Sequence, residues 1–306
     1  MFLFPGQGSQ RAGMGKDIAE AYPDVAGRTF HTADEVLGLP ISRLCFEGPE
    51  DMLLRTENTQ PALFTTSVAL LRVLKHLGLG PQAAAGHSVG EYAALVAAGA
   101  IEFEDALPVV RRRGELMANA VEETPGAMAA LIGADPEAVA DICGEASVSG
   151  IVEPSNINAP NQIVVSGEVS AVDRVQEIAK SRGIRAVRLN VSAPFHCRLM
   201  EPVRAQLEPS LMALRVLDPE IPVVANATGD YVTTASEIRS ALLDQLAAPV
   251  LWSRSMERLL RDGYSKFVEV GPGRVLAGLM RALDRRVSVS AAGDQSEIGE
   301  LMGATE

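Results

Sequence analysis

The chain of 306 residues is 47% hydrophobic and 22% charged, an ordinary composition for a globular protein with enough length for a large core and a second domain. Its 27 basic and 39 acidic residues give a formal charge of −12, which argues against nucleic acid as a partner, although an acidic protein can carry a local basic patch. No apolar run approaches the roughly 18–20 residues needed to cross a membrane, so no membrane association is expected.

Residues 1–4, "MFLF", read as a short buried strand entering a glycine turn. They are not read as a signal peptide, because no basic region precedes them and no cleavage site follows. Apolar residues spaced by three and four predict a helix over 60–79. "AAAGHS" (83–88) closes a buried strand, and "GEYAALVAAGAI" (90–101) is the helix after it. The pattern over 104–121 is again helical, despite Pro108. Strands alternating with helices predict the α/β class, with a mostly parallel sheet covered on both faces.

From 125 to 193 the order changes. A strand at 127–133 precedes an Asp-Pro helix start at 135–146, then two adjacent strands at 150–158 and 162–167. A helix at 170–183 and a strand at 184–191 follow. This β-α-β-β-α-β order is the signature of a ferredoxin-like unit, inserted into a larger domain built from 1–124 and 194–306. In the second half of the large domain, helices are predicted at 203–217, 238–252 and 253–263, with strands at 221–229 and 266–269. The polar end, 293–306, is a frayed tail or a short helix. Cys45, Cys143 and Cys197 show no metal or redox spacing and are read as structural thiols of a reducing cytoplasm.

"GHSVG" at 86–90 has the form G-x-S-x-G, with Glu91 three residues beyond the serine. In a nucleophile elbow the serine sits on a strained strand-to-helix turn that flanking glycines allow. The N–H of the next residue, Val89, and the helix N-terminus then face a developing oxyanion. A serine that only caps the helix is the alternative. A serine nucleophile needs a base. His31 and His76 lie on amphipathic helical segments and read as surface residues, while His87, adjacent to Ser88, should point away from it. That leaves His196, in "NVSAPFHCRLM", as the base, with no obvious acid nearby to orient it. A backbone carbonyl could do so, giving a dyad.

Seven motifs now stand in order: "FPGQGSQ" (4–10), "TQPAL" (59–63), "GHSVGEY" (86–92), "RGELM" (113–117), "NAPNQIVVSG" (158–167), "APFHC" (193–197) and "EVGPG" (269–273). Together they resemble the malonyl-CoA:acyl carrier protein transacylases, the acyltransferases of fatty acid and polyketide synthesis, over nearly the whole chain. The resemblance implies an α/β-hydrolase-like large domain, Ser88 as the acylated nucleophile and His196 as its base. Gln245 supplies the main-chain carbonyl that orients His196, and Gln7 and Val89 supply the oxyanion N–H groups. Arg113 holds the malonyl carboxylate, since a guanidinium fork meets a carboxylate bidentately. Arg111 and Arg112 are read as a solvated basic face. Gln60, His87, Met117, Asn158 and Phe195 line the pocket or its surroundings, the bulky Phe195 favouring unbranched malonyl.

No metal or tightly bound cofactor is implied; malonyl-CoA is a substrate and an acyl carrier protein the partner, met by a monomer. Docking candidates are Lys180, Arg182, Arg185 and Arg188, together with Arg274, Arg281, Arg285 and Arg286, with solvated surface charge the alternative for each. A trans-acting polyketide acyltransferase for another acyl unit, or a thioesterase, would share the elbow and the dyad.

Overall fold

The strands fall into two sheets in the computed structural model, which describes residues 1–123, 125–191 and 193–304. In chain order they are β1 (Phe2–Phe4), β2 (Ala84–Gly86), β3 (Gly126–Ile132), β4 (Val152–Ala159), β5 (Gln162–Glu168), β6 (Arg185–Arg188), β7 (Val223–Val224), β8 (Tyr231–Val232), β9 (Phe267–Glu269) and β10 (Val289–Ala291). The helices are α1 (Lys16–Ala21), α2 (Arg28–Leu37), α3 (Ile41–Glu47), α4 (Glu50–Leu53), α5 (Thr56–His76), α6 (Gly90–Ala97), α7 (Phe103–Glu123), α8 (Pro136–Ala146), α9 (Val169–Ser181), α10 (Glu201–Ala213), α11 (Ala235–Ala247), α12 (Trp252–Arg261), α13 (Val275–Leu283) and α14 (Gln295–Gly303).

The larger sheet has the order β10-β9-β1-β2-β7-β8, parallel throughout except for the antiparallel β7–β8 pair at one edge. Period-two alternation explains how three-residue strands suffice. Phe2 and Phe4 enter the core formed with α5, α6 and α7, while Leu3 faces a second core containing Trp252, Met256 and Leu276. The smaller sheet, β4-β5-β3-β6, is antiparallel at every pairing. Helices α8 and α9 bury Ile142, Val172 and Val175 against one of its faces. Met128, Ala130 and Val164 belong to the core of the larger sheet.

The central helix, α5, carries Pro61 in its interior. A proline has no N–H for the carbonyl four residues back, here Glu57. Arg111 fills that role, donating Nη1 to Glu57 O at 2.8 Å and to Asn58 Oδ1 at 2.8 Å. The expected solvated face is thus wrong for Arg111, which mends the proline gap and pairs with Glu115. Arg112 is the more exposed of the two.

Proline also corrects the helix expected over 238–252. Ala248, ahead of Pro249, is extended (φ −122°, ψ 157°), so α11 stops at Ala247 and α12 starts at Trp252. The break is clipped to the smaller sheet: Val250 N donates to Ser155 O and Ile157 N to Val250 O, each at 2.9 Å. The strand expected over 221–229 narrows to Val223–Val224 because the chain turns at Asn226. The helix expected over 203–217 runs from Glu201 to Ala213, and the polar end forms α14. The junctions expected beside 124 and 193 involve Thr124 and Ser192, which lie outside the described residues, as do 305 and 306.

Candidate active site

Strand β2 delivers the chain into a turn that only glycine permits at two places. A Cβ on Gly86 would stand 1.9 Å from Gly90 O, and one on Gly90 would stand 2.2 Å from Phe4 O. Between them Ser88 takes φ 51°, a left-handed conformation that is uncommon for a residue with a side chain. Asn226 splints this strained turn. Its Oδ1 accepts from Ser88 N at 2.7 Å and its Nδ2 donates to Gly86 O at 2.7 Å. Helix α6 begins two residues later, with its positive end towards the serine.

Ser88 Oγ lies 2.8 Å from His196 Nε2, and His196 Nδ1 lies 2.7 Å from Gln245 O. A carbonyl can only accept, so Nδ1 carries the proton and Nε2 is left to accept from the serine hydroxyl. His196 is itself held at φ 60°, in the turn that follows Phe195. Burial, then the nearby Arg113 charge, pushes His196 down to about 3, against the opposing effect of its bond to Gln245 O. The imidazole is therefore neutral at physiological pH, the form a general base requires.

Arg113 comes from α7 and is fully buried. It donates Nη1 to Gln60 Oε1 at 2.6 Å, and Nη2 to Gln245 Oε1 at 2.9 Å and to Ser88 Oγ at 3.1 Å. Its hydrogen-bond acceptors are all neutral, and its buried Nε has no partner among the described residues. A desolvated cation in this setting offers strong charge-assisted bonds to an anion arriving beside the serine. Burial lowers its hold on the proton, opposed by Tyr92 and Glu91.

A cleft of about 200 Å³ opens over this cluster. Gln7, Val89, Gln60, Met117, Asn158 and Phe195 line it, together with Met128 and Val164 of the smaller sheet and Leu189 just past β6. The turn carrying Gln7 packs on the elbow, where His87 N donates to Phe4 O at 2.9 Å. The Gln7 side chain reaches Thr56 Oγ1 at 3.3 Å. Gln60 also donates Nε2 to Met117 Sδ at 3.2 Å. His87 bonds Asn158 Oδ1 at 2.9 Å through Nε2 and rests against Trp252, so it ties the elbow to β4. Burial lowers its affinity for a proton.

Sequence reasoning did not find Asn226, nor the side-chain work of Gln245 and Glu91. Gln245 Nε2 donates to Ser88 O at 3.1 Å and to Glu91 Oε2 at 2.7 Å, and Glu91 Oε2 also accepts from Asn226 N at 2.9 Å. Burial pushes Glu91 up to about 7, offset in part by the bonds from Asn226 and Gln245 and by the Arg113 charge. The available signals were slight: an asparagine just past a strand, and one carboxylate in the otherwise apolar "GEYAALVAAG". Cys45, Cys143 and Cys197 are buried free thiols, pushed up to about 12, 12 and 11 by burial. They take no part in the cluster. Among the described residues no group of three or more His, Cys, Asp or Glu could hold a metal ion, and no helix is long and apolar enough to cross a membrane.

A serine on a strained elbow, a carbonyl-held histidine and a buried arginine stand together in the arrangement that acyl transfer through a serine would need. The family model of the acyl transferase domain matches residues 1–299, and the chain belongs to that family. Within it, the chain is 45% identical over 299 residues to the malonyl CoA-acyl carrier protein transacylase of Bacillus subtilis, covering 97% of this chain and 94% of that one. It is 43% identical to the protein of the same name from Escherichia coli K12, covering 98% of each. Among solved structures, the malonyl CoA-acyl carrier protein transacylase of Coxiella burnetii superposes with a TM-score of 0.95 at 38% identity, covering 99% of this chain and 96% of that chain. A malonyl-transacylase solved in complex with its type II polyketide synthase acyl-carrier protein gives 0.95 at 42% identity, over 99% and 98%.

Proposed function

We propose that this chain transfers malonyl groups from malonyl-CoA to the phosphopantetheine thiol of an acyl carrier protein, through an ester on Ser88. The observation that carries the reading is the Arg113 guanidinium, fully buried among neutral oxygens with Nη2 3.1 Å from the nucleophile. An acyl group carrying its own carboxylate would complete that environment, whereas a plain acetyl group would leave the cation unpaired. The relatives' names point the same way, and the partner in the solved complex is an acyl-carrier protein.

In the first half-reaction Ser88 Oγ attacks the thioester carbonyl as its proton passes to His196 Nε2. The carbonyl oxygen becomes an oxyanion held by the N–H groups of Gln7 and Val89, each worth about 3–4 kcal/mol in such sites. The C–S bond then breaks, and the coenzyme A sulfur takes the proton from His196. In the second half-reaction the carrier thiol gives its proton to His196, and its sulfur attacks the ester carbonyl. The C–O bond breaks, and Ser88 recovers its proton. Gln245 O stabilises the imidazolium that forms twice in the cycle.

We read the larger sheet as an α/β-hydrolase-like domain and 125–193 as an inserted ferredoxin-like one. The strand order β4-β5-β3-β6 and its antiparallel pairing support the second reading. For carrier docking, Arg182, Arg188, Arg274 and Arg286 are engaged with Glu145, Asp173, Glu297 and Asp284. Lys180, Arg185, Arg281 and Arg285 make no ion pair among the described residues and are the stronger candidates.

Intact-protein mass spectrometry after mixing with malonyl-CoA, and then with carrier protein, tests the function directly. A malonyl adduct that chases onto the carrier is expected. An adduct that drains only to water would instead make the protein a hydrolase.

A further inference from the structure

Gln245 has three tasks that its amide must not confuse. Its main-chain carbonyl holds His196, its Oε1 accepts from Arg113 Nη2, and its Nε2 points the opposite way into α6. An amide turned over at the end of this side chain would present NH₂ to a guanidinium, two donors facing each other. What opposes this is a pair of acceptors on the other side: Ser88 O at 3.1 Å and, closer, Glu91 Oε2, which accepts from Gln245 Nε2 at 2.7 Å and from the backbone N–H of Asn226 at 2.9 Å. Glu91 is 1% exposed and Gln245 fully buried, so no solvent competes for either amide face.

We infer that Glu91 is a specificity-determining positioning residue: by accepting from Gln245 Nε2 it fixes the amide with Oε1 towards Arg113, and so holds the guanidinium in the pose that receives an acyl carboxylate. The inference rests on the malonyl-transfer reading above. Glu91 touches neither Ser88 Oγ nor His196, and the His196 contact uses the Gln245 main chain. It reaches the serine turn only indirectly, through the backbone N–H of Asn226, whereas its contact with the Gln245 amide leads straight to Arg113, so its effect falls first on carboxylate recognition. Anchoring matters here because Arg113 meets only side-chain amides and the serine; with the Gln245 amide lost, Nη2 keeps Ser88 Oγ alone.

The test compares Ser88 acylation by malonyl-CoA and by acetyl-CoA in single-turnover mass spectrometry. In Glu91→Leu the nearer acceptor is gone and Gln245 Nε2 keeps only the longer bond to Ser88 O, so malonyl acylation should fall on the order of 10- to 100-fold while acetyl acylation changes far less. Glu91→Gln keeps an oxygen able to accept both bonds and should restore most of the malonyl preference. Should Glu91→Leu fail to fold, Glu91→Met removes the same acceptor while keeping an unbranched side chain of similar length, and should show the same malonyl-selective loss. Parallel loss with both donors, or an unchanged malonyl-to-acetyl ratio, would overturn the inference, leaving Glu91 a purely structural group. A Glu91→Gln enzyme as depleted in malonyl preference as Glu91→Leu would overturn the acceptor role as well. A wild-type protein that forms no malonyl adduct would instead remove the functional reading on which the inference depends.

Discussion

In the larger sheet β1, β2, β7 and β9 run parallel, so all four end at one edge, and the residues just past their ends are Gln7, Ser88, Asn226 and Gly271. In the smaller sheet neighbours alternate in direction, and what it turns towards the cleft is a mixed wall: Met128 and Val164 together with Asn156, Asn158 and Gln162. Of these, Asn158 bonds His87, the neighbour of Ser88. Parallel strands gather loop residues and helix N-termini at one place, which is why buried polar chemistry collects there. An antiparallel sheet sends half its strand ends away and contributes surface instead. The comparison can be broken by finding chemistry lost from the wall, or stability lost without chemistry from the edge.

The largest effect belongs to the edge. Ser88→Ala should abolish the acyl-enzyme and lower transfer on the order of 10⁴- to 10⁶-fold. A malonyl adduct persisting in that variant by mass spectrometry would sink the nucleophile assignment. Arg113→Ala comes next. Losing charge-assisted bonds to a carboxylate should cost malonyl acylation on the order of 100-fold or more, with acetyl far less affected. If steady-state kinetics show malonyl selectivity retained, Arg113 has no part in recognition. The wall should behave in the opposite sense. Ile142 is fully buried between α8 and the smaller sheet, away from the cleft. Ile142→Ala should cost about 2–5 kcal/mol in urea unfolding and leave the acylation rate of the folded protein unchanged. A slowed acylation step at equal folded fraction would show that the wall core sets the site geometry after all.

How far the sequence could be read divides along the same line. Strongly periodic segments such as 60–79 and 104–121 correspond to α5 and α7, and the β-α-β-β-α-β order was visible because each element there alternates or repeats cleanly. Helices α1, α3 and α4 left no signal, being short and separated by glycine and proline, and of α2 only the amphipathic segment around His31 was legible. Ser88, His196, Arg113 and Gln245 could be named because motifs carry them, and they lie in one hydrogen-bonded cluster. Asn226 and Glu91 could not, since nothing local marks an amide or a carboxylate whose partners are 138 or 154 residues away in sequence. Arg111 was misread for a related reason: its neighbours in sequence suggest a solvated face, whereas its role is set by Pro61 on another helix.

The smallest predicted effect concerns two buried titrating groups of the site, Glu91 and His196, whose shifts oppose one another. His196 is held down at about 3, so below its ordinary 6.5 the unfolded chain binds a proton that the folded one refuses. Its contribution to stability is present above pH 6.5 and is lost as pH falls towards 3. Glu91 is pushed up to about 7 from 4.5, so the folded state binds the extra proton in that interval. Its contribution is complete below pH 4.5 and is lost as pH rises through 7. Between pH 4.5 and 6.5 the two slopes have opposite signs and similar size, each at most about 1.4 kcal/mol per pH unit. Wild-type stability should therefore change less over that window than either group alone would dictate. Glu91→Gln removes the falling limb without changing the shape of the side chain, so relative to wild type its stability should climb as pH rises from 4.5 to 6.5. Urea titrations at pH 4.5, 5.5 and 6.5 measure that difference. A variant whose curve runs parallel to wild type would mean that Glu91 holds no extra proton in the fold, and that the buried carboxylate is ionised beside Arg113 throughout.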